Sequence, residues 1–220
     1  MSRLTGPSRF VWLPLALLLL FSYRLPFDQA LADWCSLHQS GVVTTVSLLI
    51  TDVGSPTVVL ALGALLTAAL FALGRRRQAV FVVLSVLGVS GLNEGLKQVV
   101  HRPPVQITAG LTPRTTVVRN QALIVQTPDL PRTVYSYPSG HAAGSLALLL
   151  AVGVLSWPTR RRTVVLTVCV VVAVLVGASR VYLWTHYLSD VLGGWSLAVA
   201  WVFLLSLTVL KLPHSDWSER

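Results

Sequence analysis

The chain has 220 residues, 54% hydrophobic and only 11% charged, with 17 Lys and Arg against 8 Asp and Glu for a net charge of +9. Soluble globular domains carry about a quarter charged residues, so this composition excludes one and indicates a polytopic membrane protein. The positive balance does not call for nucleic acid as a partner, because much of it follows from membrane topology.

In chain order, the first apolar stretch covers residues 10–23, behind Arg3 and Arg9 and ahead of Ala30, Leu31 and Ala32. It reads either as a secretory signal peptide with a small-residue cleavage site or as an uncleaved first helix whose apolar run extends to Phe27. The helix is favoured, since short spans are accommodated where neighbouring helices thin the bilayer. Residues 33–54, with Trp34, Leu37, Val42, Val46, Leu49 and Ile50, are expected outside the membrane as an interfacial helix. Uncharged stretches then occupy residues 53–74, 78–93, 142–159, 163–179 and 191–210. Each is near the ~20 residues that cross a bilayer. The predicted fold is thus all-α, a single-domain membrane helix bundle over 1–220 with six transmembrane helices and its motif-bearing core at about 50–210.

Between the third and fourth spans lies the longest polar segment, 101–137, whose Pro103, Pro104, Pro113, Pro128 and Pro131 predict an irregular outer loop or lid. Arg75 to Arg77 and Arg160 to Arg162 form basic connectors, and Arg3, Arg9, Lys211 and Arg220 flank the ends. Six spans put all of these in the cytoplasm, as the positive-inside rule demands, and leave 101–137 outside. The expected location is the cell membrane, multi-pass, with the chemistry on the extracytoplasmic face. Cys35 and Cys169 fall in an outer segment and in mid-span, so neither a disulfide nor a metal cluster is expected.

Ionisable side chains at membrane depth cost a few kcal/mol each, by scale of about 2.5 or more, and therefore mark function by default. They gather in three clusters. Ser179 and Arg180 are followed by His186 and Asp190. On a helix the last two share a face, so the carboxylate fixes one imidazole nitrogen and leaves the other free as a nucleophile. The planar fork of Arg180 suits phosphate oxygens. Taken alone, His186 and Asp190 at this spacing also fit a structural hydrogen-bonded pair. Pro138, Ser139, Gly140 and His141 open the fourth span. Ser139 is a natural N-cap, Gly140 admits close approach, and the first-turn amides form an anion site beside which His141 can protonate a leaving oxygen. The plain alternative is a capped helix start with an interfacial histidine. Lys97 stands near the outer end of the third span, three residues after Glu94, either as a phosphate ligand oriented by Asn93 and Glu94 or as a helix-stabilising ion pair.

In this order the clusters resemble the type 2 phosphatidic acid phosphatase superfamily, which includes lipid phosphate phosphatases and vanadium haloperoxidases. The second and third motifs match at Pro138 to His141 and at Ser179, Arg180, His186 and Asp190. The first departs: the resemblance calls for an arginine at 104, where Pro104 stands, and Arg102 followed by Pro103 comes two residues early. The resemblance implies a membrane phosphatase in which His186 attacks phosphorus, Asp190 orients it, and His141 protonates the leaving group and later activates water. Lys97, Arg102, Ser139, Gly140 and Arg180 are then the phosphate-binding residues, with Arg114, Arg119 and Arg132 of the lid as substitutes for Arg102. No metal or other cofactor is expected. The implied partners are membrane lipids and a lipid phosphate substrate: phosphatidic acid, phosphatidylglycerol phosphate or polyprenyl diphosphate. The competing readings are a catalytically impaired relative that binds anionic lipid, a phosphotransferase to a lipid or sugar acceptor, and a transporter. The last is disfavoured because the polar residues gather at one face.

Overall fold

The computed structural model describes residues 24–106, 135–157 and 159–210. The first apolar stretch, 10–23, and the lid residues Arg114, Arg119 and Arg132 lie outside the described residues. Within them the chain forms helices and no strand: α1 (Asp28–Leu37), α2 (Gly41–Val53), α3 (Pro56–Ala72), α4 (Arg76–Val100), α5 (Gly140–Ser156), α6 (Arg162–Tyr182) and α7 (Leu188–Thr208).

Local chemistry sets the helix ends. Ser40, Ser55 and Ser139 are N-caps whose side chains accept from Val43, Val58 and Ala142 N–H, and Pro56 follows Ser55 in the first turn of α3. α4 stops where His101 adopts a left-handed conformation, φ 49°, and its N–H caps Lys97 O ahead of Pro103 and Pro104. Ala30, Leu31 and Ala32, the small-residue site of the signal-peptide reading, are folded into α1 with Ala32 buried.

By length and composition α4, α6 and α7 can each cross a membrane, and α2 with α3 pass the same test only together, bent by 42° at Gly54 and Ser55 as a broken span or a re-entrant loop. α5 is apolar throughout but has 17 residues. Predicted spans two to six thus correspond to α3 through α7, with shifted boundaries. The largest shift is in α4, which continues through Asn93, Glu94 and Lys97 to Val100. The predicted interfacial segment 33–54 resolves into the end of α1 and the whole of α2.

α5 lies at the centre, packed on α4, α6 and α7. Its buried face is made of Ala142, Ala143, Ala147 and Ala151, which let neighbouring backbones come close. The tightest approach is at Gly194 of α7, where an added Cβ would lie 2.6 Å from Ser139 O and 3.1 Å from Ala143 N. A second layer of Phe81, Val82, Val89 and Val202 fills the space between α4 and α7. Large apolar side chains such as Leu65, Phe71, Val164 and Val170 point outward. Polar groups such as Arg102, Ser139, Arg180 and Asp190 are instead buried. That inversion is the arrangement lipid surroundings favour.

Candidate active site

The up-and-down path of the chain brings four helix termini to one end of the bundle: the C-termini of α4 and α6 and the N-termini of α5 and α7. Ser139 N–H donates to Asp190 O at 3.0 Å, joining the second motif to the third through backbone. Asn93 Nδ2 lies 3.4 Å from where a Cβ on Gly140 would sit, which ties α4 to α5. The charges of Arg180, His186 and Lys97 all reach His141, which is itself almost fully buried. Residues more than forty positions apart in sequence therefore share one electrostatic site.

His186 and Asp190 do meet, though not as two residues of one helix. α6 ends at Tyr182, and the N–H groups of Thr185 and His186 both donate back to Arg180 O at 3.1 and 3.3 Å. Trp184 sits between them at φ 56°, a left-handed conformation that costs a bulky side chain on the order of 1 kcal/mol. The turn so formed delivers His186 just before α7, and the buried carboxylate of Asp190 reaches backward from the first turn of that helix. Its Oδ2 accepts from Tyr187 N–H at 2.8 Å and lies 3.5 Å from His186 Nδ1. Nδ1 has no other partner among the described residues. Burial pushes the His186 pKa below the usual histidine range; Asp190 pulls against that fall, and the charges of Arg180 and Lys97 add to it. At neutral pH the ring is neutral.

Arg180 is 5% exposed, and its Nη1 donates to Thr51 Oγ1 of α2 at 2.8 Å. Its Nε is buried without a hydrogen-bond partner among the described residues, so part of the fork remains directed at the site. Thr51, which sequence reading did not single out, orients this arginine; a lone threonine in an apolar helix gives no signal of that. Lys97 Nζ bonds Glu94 Oε1 at 2.9 Å, with 18% of the Lys97 side chain and 64% of that of Glu94 exposed. A pair this open is weak and leaves the ammonium available to an anion. Ser139 is fully buried as the cap of α5, and Gly140 begins that helix.

Arg102 is placed differently from the other expected phosphate contacts. Its Nη1 donates to Ser189 Oγ at 2.5 Å and to Asp190 Oδ1 at 2.7 Å, and its Nη2 donates to Asp28 Oδ2 at 3.0 Å. The guanidinium lies 4.3 Å over the Tyr187 ring. Pro103 accounts for this, since the residue before a proline is forced from helical geometry and the side chain swings across to α7. Asp28 is the functional candidate that sequence reading missed. It is one carboxylate in the first turn of an ordinary amphipathic helix, and only tertiary contact reveals its partners.

Beside these residues is a cleft of about 250 Å³ lined by Arg24, Asp28, Gln29, Arg102 and Tyr187. A larger recess of about 440 Å³ involves Trp157, Arg162 and Leu166, at the opposite ends of α5 and α6 and remote from the motifs. Among the described residues no group of three or more His, Cys, Asp or Glu converges as a metal site. His101 caps α4 and meets the Tyr135 ring edge-on at 4.5 Å.

Comparison with known proteins bears on the fold and the family. The chain is 35% identical over 83 residues to phosphatidylglycerophosphatase B of Bacillus subtilis (strain 168), covering 36% of this chain and 41% of the relative. It is 38% identical over 81 residues to an undecaprenyl-diphosphatase of Sulfolobus acidocaldarius, covering 35% of this chain and 34% of that one. The matched segments thus span less than half of either relative. The fold resembles the crystal structure of a transmembrane PAP2-type phosphatidylglycerolphosphate phosphatase from Bacillus subtilis, with a TM-score of 0.72, 24% identity, and coverage of 92% of this chain and 98% of that one. The sequence model of the PAP2 superfamily matches residues 78–213, over half of the chain and a range that contains all three clusters, and the chain belongs to that superfamily.

Proposed function

We propose that this membrane protein hydrolyses the phosphate monoester or diphosphate of a lipid through a phosphohistidine on His186. The observation that carries the reading is the meeting of a neutral, carboxylate-backed His186 with His141, Arg180 and Lys97 at one end of a bundle whose sides face lipid. A substrate held in the bilayer by its tails presents its phosphate laterally at that end.

In the first step His186 Nε2 forms a bond to phosphorus while the bond from phosphorus to the lipid oxygen breaks. His141, which takes up a proton from solvent once the anionic phosphate lies beside it, passes that proton to the departing oxygen. Asp190 holds Nδ1 and stabilises the positive charge gained by the ring. Lys97, Arg180, the Ser139 hydroxyl and the Gly140 amide surround the equatorial oxygens, where charge spreads in the transition state. In the second step His141 takes a proton from water, whose oxygen attacks phosphorus and releases inorganic phosphate and free His186. Arg102, bound to two carboxylates, serves this site by holding Asp190. The arginine triplets at 75–77 and 160–162 support an extracytoplasmic site. The names of the two relatives favour phosphatidylglycerol phosphate and polyprenyl diphosphate over phosphatidic acid as substrate.

The test is phosphate release by purified protein in detergent, with these three lipids presented separately in the presence of EDTA. Release from at least one, undiminished by the chelator, is expected, because Lys97 and Arg180 supply the positive charge. Binding of the lipids without release from any of them indicates the impaired lipid-binding relative instead.

A further inference from the structure

We propose that Asp28 is a positioning residue for His186, acting through Arg102 and Ser189 on Asp190, so that helix α1 contributes to the reaction as well as to packing. This rests on the nucleophilic role given to His186 above.

Asp28 is buried, and its carboxylate is fully engaged. Oδ2 accepts from Arg102 Nη2 at 3.0 Å, from Leu25 N–H at 3.1 Å and, in a very short contact, from the Ser189 hydroxyl; Oδ1 accepts from Ser189 N–H at 3.1 Å. Ser189 Oγ in turn accepts from Arg102 Nη1, whose other bond goes to Asp190 Oδ1. Asp190 Oδ2 faces His186. The charges alternate along this line from Asp28 to Arg102 to Asp190, all three buried, and the line ends on the neutral ring of His186.

The sign of the surrounding charges gives Asp28 its use. Arg180 from α6, Lys97 from α4 and Asp190 from α7 act on His186, and His141 of α5 lies in the same site. All but Asp190 are basic. His186 gains positive charge when its lone pair bonds phosphorus, so the basic groups oppose that step and only the carboxylate assists it. If Arg102 were paired with Asp190 alone, it would cancel most of that assistance. Asp28 shares the guanidinium, so that Asp28, Arg102 and Asp190 together contribute a net charge of −1, with Arg24 lining the same cleft as Asp28 and Arg102. Asp28 also fixes Ser189, the neighbour of Asp190, through both backbone and hydroxyl.

The experiment uses full-length protein in detergent and reads two quantities. The first is the titration of His186 by NMR of histidine-labelled protein, assigned with His186→Asn; the second is kcat and KM for a lipid phosphate. Asp28→Asn keeps shape and removes charge. It should lower the His186 titration by about half to one pH unit, as expected for a charge about 10 Å away at intermediate dielectric. It should reduce kcat about tenfold with KM nearly unchanged. Asp28→Glu should restore part of both. A folded Asp28→Asn protein with wild-type titration and kcat overturns the proposal. If that variant does not fold, Ser189→Ala, which leaves both ion pairs in place, should lower the titration in the same direction by less, and an unchanged titration there overturns it. Failure of the wild type to release phosphate would defeat the proposed activity, while the titration would still decide the role of Asp28.

Discussion

Asp190 shows how one buried carboxylate can organise a site. It accepts from Arg102 and from the Tyr187 amide, and it backs His186 across 3.5 Å. A buried carboxylate bound to one partner alone is costly to hold, and removing a member of such a group commonly costs about 3–5 kcal/mol. The ring it serves is held below the ordinary histidine range, chiefly by burial. Its protonated form is therefore disfavoured in the folded protein, and acid works against both activity and stability as pH falls below the unfolded value near 6.5. The predicted consequence is an acidic limb in kcat/KM that lies below about pH 6.5. A limb well above that value, lost in a His186 variant that retains some turnover, would contradict the neutral nucleophile. At this scale the residues that gather at one end of the bundle were legible as candidates in the sequence, because charged side chains at the ends of apolar spans have few other reasons to exist. Their partners were not: Thr51 and Asp28 act through contacts 129 and 74 positions away along the chain.

Helix termini, more than helix interiors, build the site. Ser139 was readable as a cap and Gly140 as the first residue of α5, since capping depends on local chemistry. The helical pairing expected of His186 and Asp190 was half right, because the turn at Trp184 is set by backbone bonds to Arg180 O that sequence spacing does not encode. Close contact between α5 and α7 fixes the distance between the second and third motifs. Gly194 sits under Ser139 O, where a methyl group at 2.6 Å from backbone oxygen cannot fit without displacing one helix. Gly194→Ala is expected to cost about 1–3 kcal/mol, the usual range for overpacking. It should also lower kcat more than it raises KM, because the Ser139 N–H bond to Asp190 O must lengthen. Thermal unfolding and steady-state kinetics on the same preparation check this. Unchanged values for both would show that the two helices have slack at this crossing.

Across the whole molecule, apolar side chains outside and charged groups inside define a protein solvated by lipid. Composition alone made that legible. The break between α2 and α3 was legible too, since Asp52, Gly54, Ser55 and Pro56 end one helix and cap the next, but the 42° angle at which the two pack end to end was not. The basic triplets predict which end faces outward, and His38, exposed near the site end, offers a place to test it. In a variant lacking Cys35 and Cys169, His38→Cys should react with an impermeant maleimide in intact cells, whereas Arg77→Cys should react only after lysis. The opposite labelling would invert the topology. The measurement that bears most directly on the whole account is alkaline quench of the protein during turnover of a phosphate-labelled lipid. The expected result is an acid-labile, base-stable label on the peptide containing His186, absent from His186→Ala, which should also lose turnover by at least three orders of magnitude. Steady phosphate release with no such label, or with His186→Ala as active as the wild type, would contradict it.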